Sequence, residues 1–543
     1  MIDVDVVSEE SDADIVEGIS RVFPLFFFLV AALVCITTMS KMVDEERTQI
    51  GVMKALGYGS GAITAKYLAY SGSASLLGCV LGVSAGSVIF PSAIWQGYSI
   101  MYNFASRIQL TFQWPLCAVI VCSYTGSMLA VPWFCCRREL AEVPAELIRP
   151  KSPKAGKRLL LERLPLWKHL SFLRKVSIRN VFRYRKRLVM MLLGVGGCAA
   201  LVVTGFGIRD SIAGMADYQF REVTLYDMSV TFAENQEPED QEAFLKGCAG
   251  TVQEALFLHE STADLTAGTR TKSVHFLASQ EELSGFVSLH RGKEPVAFPE
   301  KGQAVISEGL AEVLDIQVGD SVLLHMPDMD TLSVTVSGIF DNNVYHYVLV
   351  SMDTVLEQWG TTPSVNTAYV NVPENQAAQE SATTVSRQAD VLSVMLCQDI
   401  AQRVSSMMTS LNYIVALVVL SAAALAFIVM YNLTNINITE RIREIATIKV
   451  LGFYPAESAA YVFREGMALT AMGCALGLAA GKLLHAFIIR QVRVDMVYFT
   501  PRIFWTSYLW AVVLTFLFAC IVDLFLYFKL ERINMAEALK SVE

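Results

Sequence analysis

The chain has 543 residues, of which 53% are hydrophobic and only 17% are charged, with a mean hydropathy of +0.43 and a formal net charge of −9. Soluble domains average about a quarter charged residues, so this composition favours a membrane protein and excludes a disordered chain, a collagen-like repeat or a small disulfide scaffold. The negative net charge argues against nucleic-acid binding by the whole chain.

Seven stretches are apolar and long enough to cross a bilayer, which takes about 20 helical residues. They lie near 22–40, 66–90, 114–134, 188–208, 411–434, 458–487 and 505–528. The segment 135–187 carries sixteen Lys/Arg and four acidic residues, which predicts a cytoplasmic location because positively charged loops stay inside. Alternation then places 1–21 and 209–410 outside, and the latter holds 29 acidic and 10 basic residues.

The predicted fold is therefore a polytopic α-helical membrane protein with about seven transmembrane helices and one mixed α/β extracytoplasmic domain. Its predicted segments are an extracytoplasmic remnant (1–21), a three-helix unit (22–134), a basic cytoplasmic linker with an elbow helix (135–187), a single span (188–208), the extracytoplasmic domain (209–410), a second three-helix unit (411–528) and a cytoplasmic tail (529–543).

The two three-helix units are related by an internal repeat. At an offset of 395 residues, twelve of 42 residues are identical between 45–86 and 440–481, where chance gives about three. Both copies begin on the predicted cytoplasmic side, so the repeats are parallel. The span 188–208 and the outer domain have no first-half counterpart, so we expect a further span and outer domain to be encoded upstream of Met1.

A short cytoplasmic segment occurs in both copies, Val43–Tyr58 and Thr439–Phe453. Apolar residues at helical spacing predict an amphipathic helix, and Gly57 and Gly452 are natural C-terminal stops. Such a helix suits docking into a groove of a cytoplasmic partner, while the alternative is a solvated extension of the preceding span. Duplication of the segment at matched topology favours docking.

Two glycine ladders follow at four-residue spacing, one in each copy. Small residues at this spacing let helices approach closely in lipid, either as static packing or as a contact that slides between two states. Further upstream of the second copy, the basic and aromatic stretch Leu170–Arg187 predicts an elbow helix lying on the inner lipid leaflet.

The outer domain 209–410 is predicted to be mixed α/β, because strand-like runs accompany a strand and short helix in Gly302–Val318. The strand-like runs are Ser229–Phe232, Ser273–Leu277, Ser321–His325, Leu332–Ile339 and Tyr347–Val350. A disulfide between Cys248 and Cys397 is compatible with an oxidising exterior, and the residues alone leave this pairing open.

The chain contains no phosphate-binding loop of the G-x-x-x-x-G-K-[ST] type, so we expect no ATP binding by that route and no enzymatic activity. No catalytic, cofactor-binding or metal-ligating residue is predicted. The ionisable residues Arg464, Glu465 and Asp523 fall in the cytoplasmic third of the spans, whereas an ion-coupled carrier needs such groups deeper in the membrane.

The chain resembles the FtsX-like, or MacB-type, permeases of ABC transporters. The resemblance rests on EERTQIGVMKALGYGSGAI (45–63) and ERIREIATIKVLGFYPAE (440–457), which are similar to the family's R-x-x-E-I-G-x-x-K-A-L-G segment. It rests also on RNVFRYRKRLVMMLLGVGG (179–197) and the half-ends VPAELIRP and INMAEALKSVE. The chain departs from the family in lacking a first-half leading span and outer domain, and in Ala446-Thr447, where the family favours Gly and an apolar residue.

The resemblance implies a cytoplasmic ATPase dimer as partner, with ATP and Mg on that subunit and no cofactor bound by this chain. It implies ATPase docking by Glu45, Glu46, Arg47, Ile50, Lys54, Leu56, Gly57, Glu440, Arg441, Arg443, Glu444, Ile445, Lys449, Leu451 and Gly452. It implies helix packing in the transmitting spans by Gly78, Gly82, Gly86, Gly473, Gly477 and Gly481.

Two functions follow from this resemblance. The first is export or extraction of an amphiphilic substrate, such as a peptide, lipoprotein, lipid or antibiotic, across the plasma membrane of a bacterium. The second is transmembrane signalling to an extracellular cell-wall hydrolase or a sensor, through an extracytoplasmic partner protein. Membrane lipid is the other expected partner, and nucleic acid is not expected.

Overall fold

The structure is a computed structural model that describes residues 3–98, 112–148, 185–326, 329–373, 377–491 and 497–532. The predicted elbow helix lies outside these residues except for its last three, and the half-end 533–543 lies wholly outside them. The chain divides into two compact units. Unit 1 comprises Met1–Gly18, Ser211–Asn412 and Ile489–Pro501, and unit 2 comprises Ile19–Asp210, Tyr413–Ile488 and Arg502–Glu543.

The described residues that precede the outer domain form helices joined by short turns. Its helices are α1 (Asp3–Glu45), α2 (Arg47–Ala55), α3 (Ser60–Tyr98), α4 (Trp114–Leu140), α5 (Pro144–Ile148) and α6 (Arg185–Tyr218), after which a π-helical turn covers Gln219–Val223. Large apolar side chains on α3, such as Leu77 and Leu81, are 64% and 69% exposed, as expected for side chains that face lipid.

The outer domain in unit 1 alternates strands with short helices. Its elements are β1 (Met228–Phe232), α7 (Pro238–Gly247), β2 (Glu254–Ala267), β3 (Arg270–Ser279), β4 (His290–Arg291), β5 (Glu294–Pro295), β6 (Gln303–Ser307), α8 (Glu308–Leu314), β7 (Ser321–Met326), β8 (Met329–Phe340), β9 (Tyr347–Ser351), α9 (Met352–Trp359), β10 (Thr367–Asn371), α10 (Ala378–Val385) and β11 (Val391–Leu396).

The second half ends the chain with four more helices, α11 (Cys397–Glu440), α12 (Ile442–Val450), α13 (Pro455–Gln491) and α14 (Trp505–Glu531). Within the described residues, seven helices are long and apolar enough to cross a membrane. Together with the mixed α/β domain, they confirm the predicted fold class.

The nine main strands form one sheet that closes partly on itself. The order is β11-β1-β10-β2-β3-β9-β6-β8-β7, and β7 also pairs with β2. Strands β2, β3, β9, β6, β8 and β7 therefore make a closed barrel, filled by Leu265, Phe276, Ile306, Leu324 and Val336. The first part of β2 pairs with β10, β10 pairs with β1, and β1 pairs with β11. Among the described strands β11 has a partner on one side only, so it forms an edge of the sheet.

The structure adds two features to the predicted domain. Strand β2 pairs with three neighbours although its sequence, with His259, Glu260 and Asp264 among apolar residues, does not alternate cleanly. The segment Ile489–Pro501 also belongs to the outer unit. It is held there by a bridge between Val344 and Val497.

The glycine ladders have different surroundings in the two copies. A Cβ atom placed on Gly477 would lie 2.6 Å from the Ala199 Cβ of α6, and one on Gly481 would lie 2.7 Å from the Val203 Cβ. The second ladder is therefore a site of close helix packing. A Cβ on Gly78, Gly82 or Gly86 would meet no described atom within 4 Å.

Both outer-domain cysteines are free and buried in the structure. Burial raises the pKa of Cys397 to about 12 and also raises the pKa of Cys248. Because the thiolate is the reactive form, we predict that neither thiol reacts with a maleimide at neutral pH until the protein is unfolded. Mass spectrometry of the labelled peptides measures this. Labelling in the folded protein, or a Cys248–Cys397 cross-linked peptide under non-reducing conditions, would contradict it.

Candidate functional site

The duplicated cytoplasmic segment forms a short helix in each half, with bounds that match at the repeat offset. Helix α2 covers Arg47–Ala55 and α12 covers Ile442–Val450, and each is separated by one residue from the long helix before it. That residue is Glu46 in the first half and Arg441 in the second. Two equivalent sequences thus form the same bend and short helix.

Each short helix ends in an exposed apolar turn. Gly57 and Gly452 adopt φ values of +91° and +93°, a left-handed conformation that glycine adopts at little cost. The residues just before them, Leu56 and Leu451, are 73% and 71% exposed. The aromatic residues that follow are also exposed. We call Leu56–Tyr58 and Leu451–Tyr454 the apolar tips.

A lysine in the last turn of each short helix binds the end of the third span of its half. Lys54 Nζ donates to the carbonyl oxygens of Leu140 and Glu142, each at 2.7 Å. Lys449 Nζ donates to the carbonyl oxygens of Leu530 and Glu531, at 2.8 and 3.2 Å. The last carbonyls of a helix lack intrahelical partners and carry partial negative charge, so each lysine fastens the short helix to α4 or α14.

An ion pair joins the bend to the next span in both halves, but with opposite polarity. In the first half, Lys66 Nζ of α3 lies 2.5 Å from Glu46 Oε2, and this hydrogen bond lowers the pKa of Glu46. In the second half, Arg441 Nη2 lies 2.6 Å from Glu465 Oε1 of α13, and both side chains are almost fully buried.

Apolar contacts complete the attachment of the short helices. Ile50 and Ile445 occupy equivalent positions, are each 1% exposed and belong to apolar clusters formed with the spans. In the first half α5 also packs on α2, where a Cβ on Gly51 would lie 2.9 Å from the Leu147 Cβ. The equivalent Ala446 is fully buried.

The predicted docking residues fall into two groups in the structure: those that attach a short helix to the spans, and those that are exposed. Attachment to the spans involves Glu46, Arg47, Ile50, Lys54, Arg441, Ile445 and Lys449; Arg47 forms ion pairs with Glu139 and Glu142. The apolar tips contain Leu56, Gly57, Leu451 and Gly452. The exposed residues beside the bends are Glu45, Glu440 and Glu444. The side chain of Arg443 is not among those that the structure describes. The tip aromatics Tyr58, Phe453 and Tyr454 were not among the predicted docking residues, although an aromatic residue follows each glycine stop in the sequence.

A second polar cluster lies in unit 1, around the buried loop Asp341–Asn343 that follows β8. Tyr218 Oη, at the end of α6, donates to Asp341 Oδ2 at 2.7 Å. Gln219 accepts from the Asn343 backbone N–H at 2.7 Å and donates to Asn342 Oδ1 at 2.8 Å.

The same loop binds the segment that follows α13. Tyr498 donates its backbone N–H to the Asn343 carbonyl at 2.9 Å, and the Thr500 hydroxyl donates to Asn343 Oδ1 at 3.2 Å. Tyr498 Oη donates to Glu312 of α8. We call Asp341–Asn343 with these partners the polar hub. It ties the barrel both to the end of α6 and to the segment Ile489–Pro501.

Comparison with known proteins gives two family matches. The model for the FtsX-like permease C-terminal region matches residues 21–140 and 416–531, and the model for the MacB-like periplasmic core domain matches residues 188–387. The two FtsX-like matches begin 395 residues apart, which confirms the repeat. No curated protein matches the chain.

Two solved structures are similar to part of the chain. One is the periplasmic region of MacB from Actinobacillus actinomycetemcomitans, at 12% identity and a TM-score of 0.25, covering 34% of this chain and 94% of that one. The other is the extracellular domain of the noncanonic ABC-type transporter YknZ from Gram-positive bacteria, at 14% identity and a TM-score of 0.21, covering 29% of this chain and 91% of that one.

The buried Arg441–Glu465 pair gives the sharpest test of how the bend is held. We predict that Arg441→Met lowers the free energy of unfolding by about 3–5 kcal/mol, because it removes the guanidinium from a buried carboxylate. The double variant Arg441→Met with Glu465→Leu should recover most of that loss. Thermal melting of the purified protein in detergent compares the variants, and a single variant as stable as the parent would contradict the prediction.

Proposed function

Because the chain belongs to the MacB/FtsX-type permeases of ABC transporters, we propose that its two apolar tips are the docking surfaces for a separate cytoplasmic ABC ATPase. The ATPase would bind ATP and Mg, while this chain supplies no catalytic group. The chain would then convert nucleotide-driven movement of the ATPase into movement of its periplasmic domain.

The main support for this proposal is that Leu56 and Leu451 are exposed at equivalent positions, at the ends of two short helices that are attached to the spans in the same way. Burying a leucine side chain contributes about 1.5–3 kcal/mol, so two exposed leucines with neighbouring aromatics offer a substantial docking energy. Lys54 and Lys449 attach the short helices to the ends of α4 and α14, and the two leucines remain exposed to solvent. An apolar tip on a braced helix fits a groove on a partner protein.

Movement of the tips would be passed on through the spans. A tip pushed by the ATPase would carry the end of α4 or α14 with it through the lysine bonds. Helix α6 and the segment Ile489–Pro501 reach the polar hub, whose buried hydrogen bonds join them to the barrel. These contacts support a mechanical route to the periplasmic domain.

For the cargo, we propose an amphiphilic substrate that is exported or extracted from the plasma membrane of a bacterium. Among the described strands, β11 is the edge of the sheet, and its side chains Leu392 and Met395 are 70% and 55% exposed. An apolar free edge is a surface on which an extended or amphiphilic chain is readily bound. The edge therefore supports a domain that grips cargo.

We predict that Leu56→Asp together with Leu451→Asp lowers recovery of a co-expressed ABC ATPase by more than about tenfold, because two apolar contacts are each replaced by a charge. Affinity purification of the tagged permease, followed by quantification of the ATPase, measures this. The permease itself should remain in the membrane at its normal level.

The matched control is Thr48→Asp with Gln49→Asp, which adds the same number of charges on exposed positions of α2, about two helical turns before Leu56. This control should retain the ATPase. Equal recovery with the tip variant and the parent would overturn the docking assignment, and equal loss with both variants would assign the effect to charge alone.

A further inference from the structure

The outer domain contains a partly open cavity on the outer face of the barrel, with a volume of about 60 Å³. Its sheet wall includes Leu277, Tyr347 and Leu349, which alternate along β3 and β9 with residues that fill the barrel. The remaining walls include the π-helical turn after α6 and, at the start of α11, Cys397 and Ile400. All of these residues belong to unit 1, so the cavity lies within one compact unit, where α6 ends and α11 begins.

Four tyrosines line this cavity, namely Tyr226, Tyr345, Tyr347 and Tyr369. The rings of Tyr226 and Tyr369 are stacked, with centroids 4.1 Å apart and an interplanar angle of 10°. Burial raises the pKa of all four phenols above its usual range, so each is uncharged at neutral pH. An uncharged tyrosine ring attracts a cation that approaches its face.

A half-buried carboxylate lies next to the tyrosines. Glu260 Oε2 of β2 accepts a hydrogen bond from Tyr369 Oη at 3.4 Å, and the charge of Glu260 also raises the pKa of Tyr226 and Tyr347. Glu260 Oε1 lies 3.6 Å from His275 Nδ1, an imidazole that is positive only when protonated. Both contacts are longer than the about 2.5–2.9 Å of a strong hydrogen bond to a carboxylate, so Glu260 can still accept a further cation.

The backbone at Tyr345 adopts an unfavourable conformation in the cavity wall. Its φ is +60°, in the left-handed region that bulky residues rarely adopt. Asn342 of the polar hub holds this turn, because its Nδ2 donates to the carbonyls of Val344 and Tyr345 at 2.6 and 3.0 Å. Such conformations persist only where the surrounding structure imposes them, and they cluster at ligand-binding sites. The polar hub therefore also fixes one wall of the cavity.

We propose that this cavity binds the alkylammonium group of an organic cation, with the four tyrosines around the group and Glu260 supplying the opposite charge. A buried water needs about 10–15 Å³, so the cavity accommodates at least about four non-hydrogen atoms, the number in a trimethylammonium group. The acidic outer domain, with 29 acidic and 10 basic residues in 209–410, attracts such a ligand.

One positive charge of the chain lies near the tyrosines. Arg403 of α11 lowers the pKa of Tyr345, against the larger effect of burial, but its side chain is exposed and solvent screens it more than the half-buried Glu260. The site involves neither the apolar tips nor β11, so it stands or fails independently of ATPase docking and of cargo binding at the sheet edge.

The test is isothermal titration calorimetry of the full chain with choline, in a non-ionic detergent. We expect saturable binding of choline and at least about tenfold weaker binding of 3,3-dimethylbutanol, which has the same shape without the charge. Glu260→Gln should weaken choline binding at least about tenfold because it removes the opposite charge. The matched control is Asp264→Asn, which removes an exposed carboxylate further along β2 and should leave choline binding unchanged.

A second variant tests the aromatic lining. Tyr345→Asn removes one ring and introduces a residue that tolerates the left-handed φ at this position, so the variant should melt like the parent while its choline affinity falls at least about tenfold. If it melts lower, Glu260→Gln decides the result. The proposal is overturned if choline does not bind saturably, if the neutral alcohol binds equally well, if Glu260→Gln binds choline as the parent does, or if Asp264→Asn loses as much affinity as Glu260→Gln.

Hexyltrimethylammonium then distinguishes the two sources of an alkylammonium group. Tighter binding than that of choline supports the proposal with an amphiphile as the ligand, whose apolar chain adds contacts outside the cavity. Equal binding supports it with a small soluble cation as the ligand. Failure of hexyltrimethylammonium to compete with choline would contradict a shared site for the ammonium group.

Discussion

The bond from a lysine ammonium to the terminal carbonyls of a span is the interaction on which the cytoplasmic face depends. The last carbonyls of α4 and α14 have no partner within their own helices, and Lys54 and Lys449 supply both hydrogen bonds and a positive charge. A helix of nine residues is marginal by itself. Fastened in this way, it becomes a fixed extension of the span.

The two halves reach this arrangement through different side chains. At the bend, the first half places Glu46 against Lys66 and the second places Arg441 against Glu465. The second pair is nearly inaccessible to solvent, so its partners depend strongly on each other. The two pairs thus have opposite polarity, yet each joins the bend to the following span of its half.

The spans, the repeat and the ends of the short helices could be predicted because they depend on local patterns, namely apolar runs, an offset of 395 residues and glycine stops. The hydrogen bonds of Lys54 could not be predicted from the sequence, because Leu140 lies 86 residues away on another helix. The polar hub was likewise hidden, since Asn343 and Tyr498 meet only in the folded domain. That the charged residues dock the ATPase stays a prediction. The structure shows that Leu56 and Leu451 are the exposed residues at the ends of the short helices.

These bonds predict that each short helix moves as one body with the third span of its half. Spin labels at Val450 on α12 and Phe528 on α14, both exposed, measure this directly by double electron–electron resonance in the complex with the ATPase. We expect the same distance distribution with and without ATP, because Lys449 holds the two helices together. A distribution that shifts on addition of ATP would contradict it.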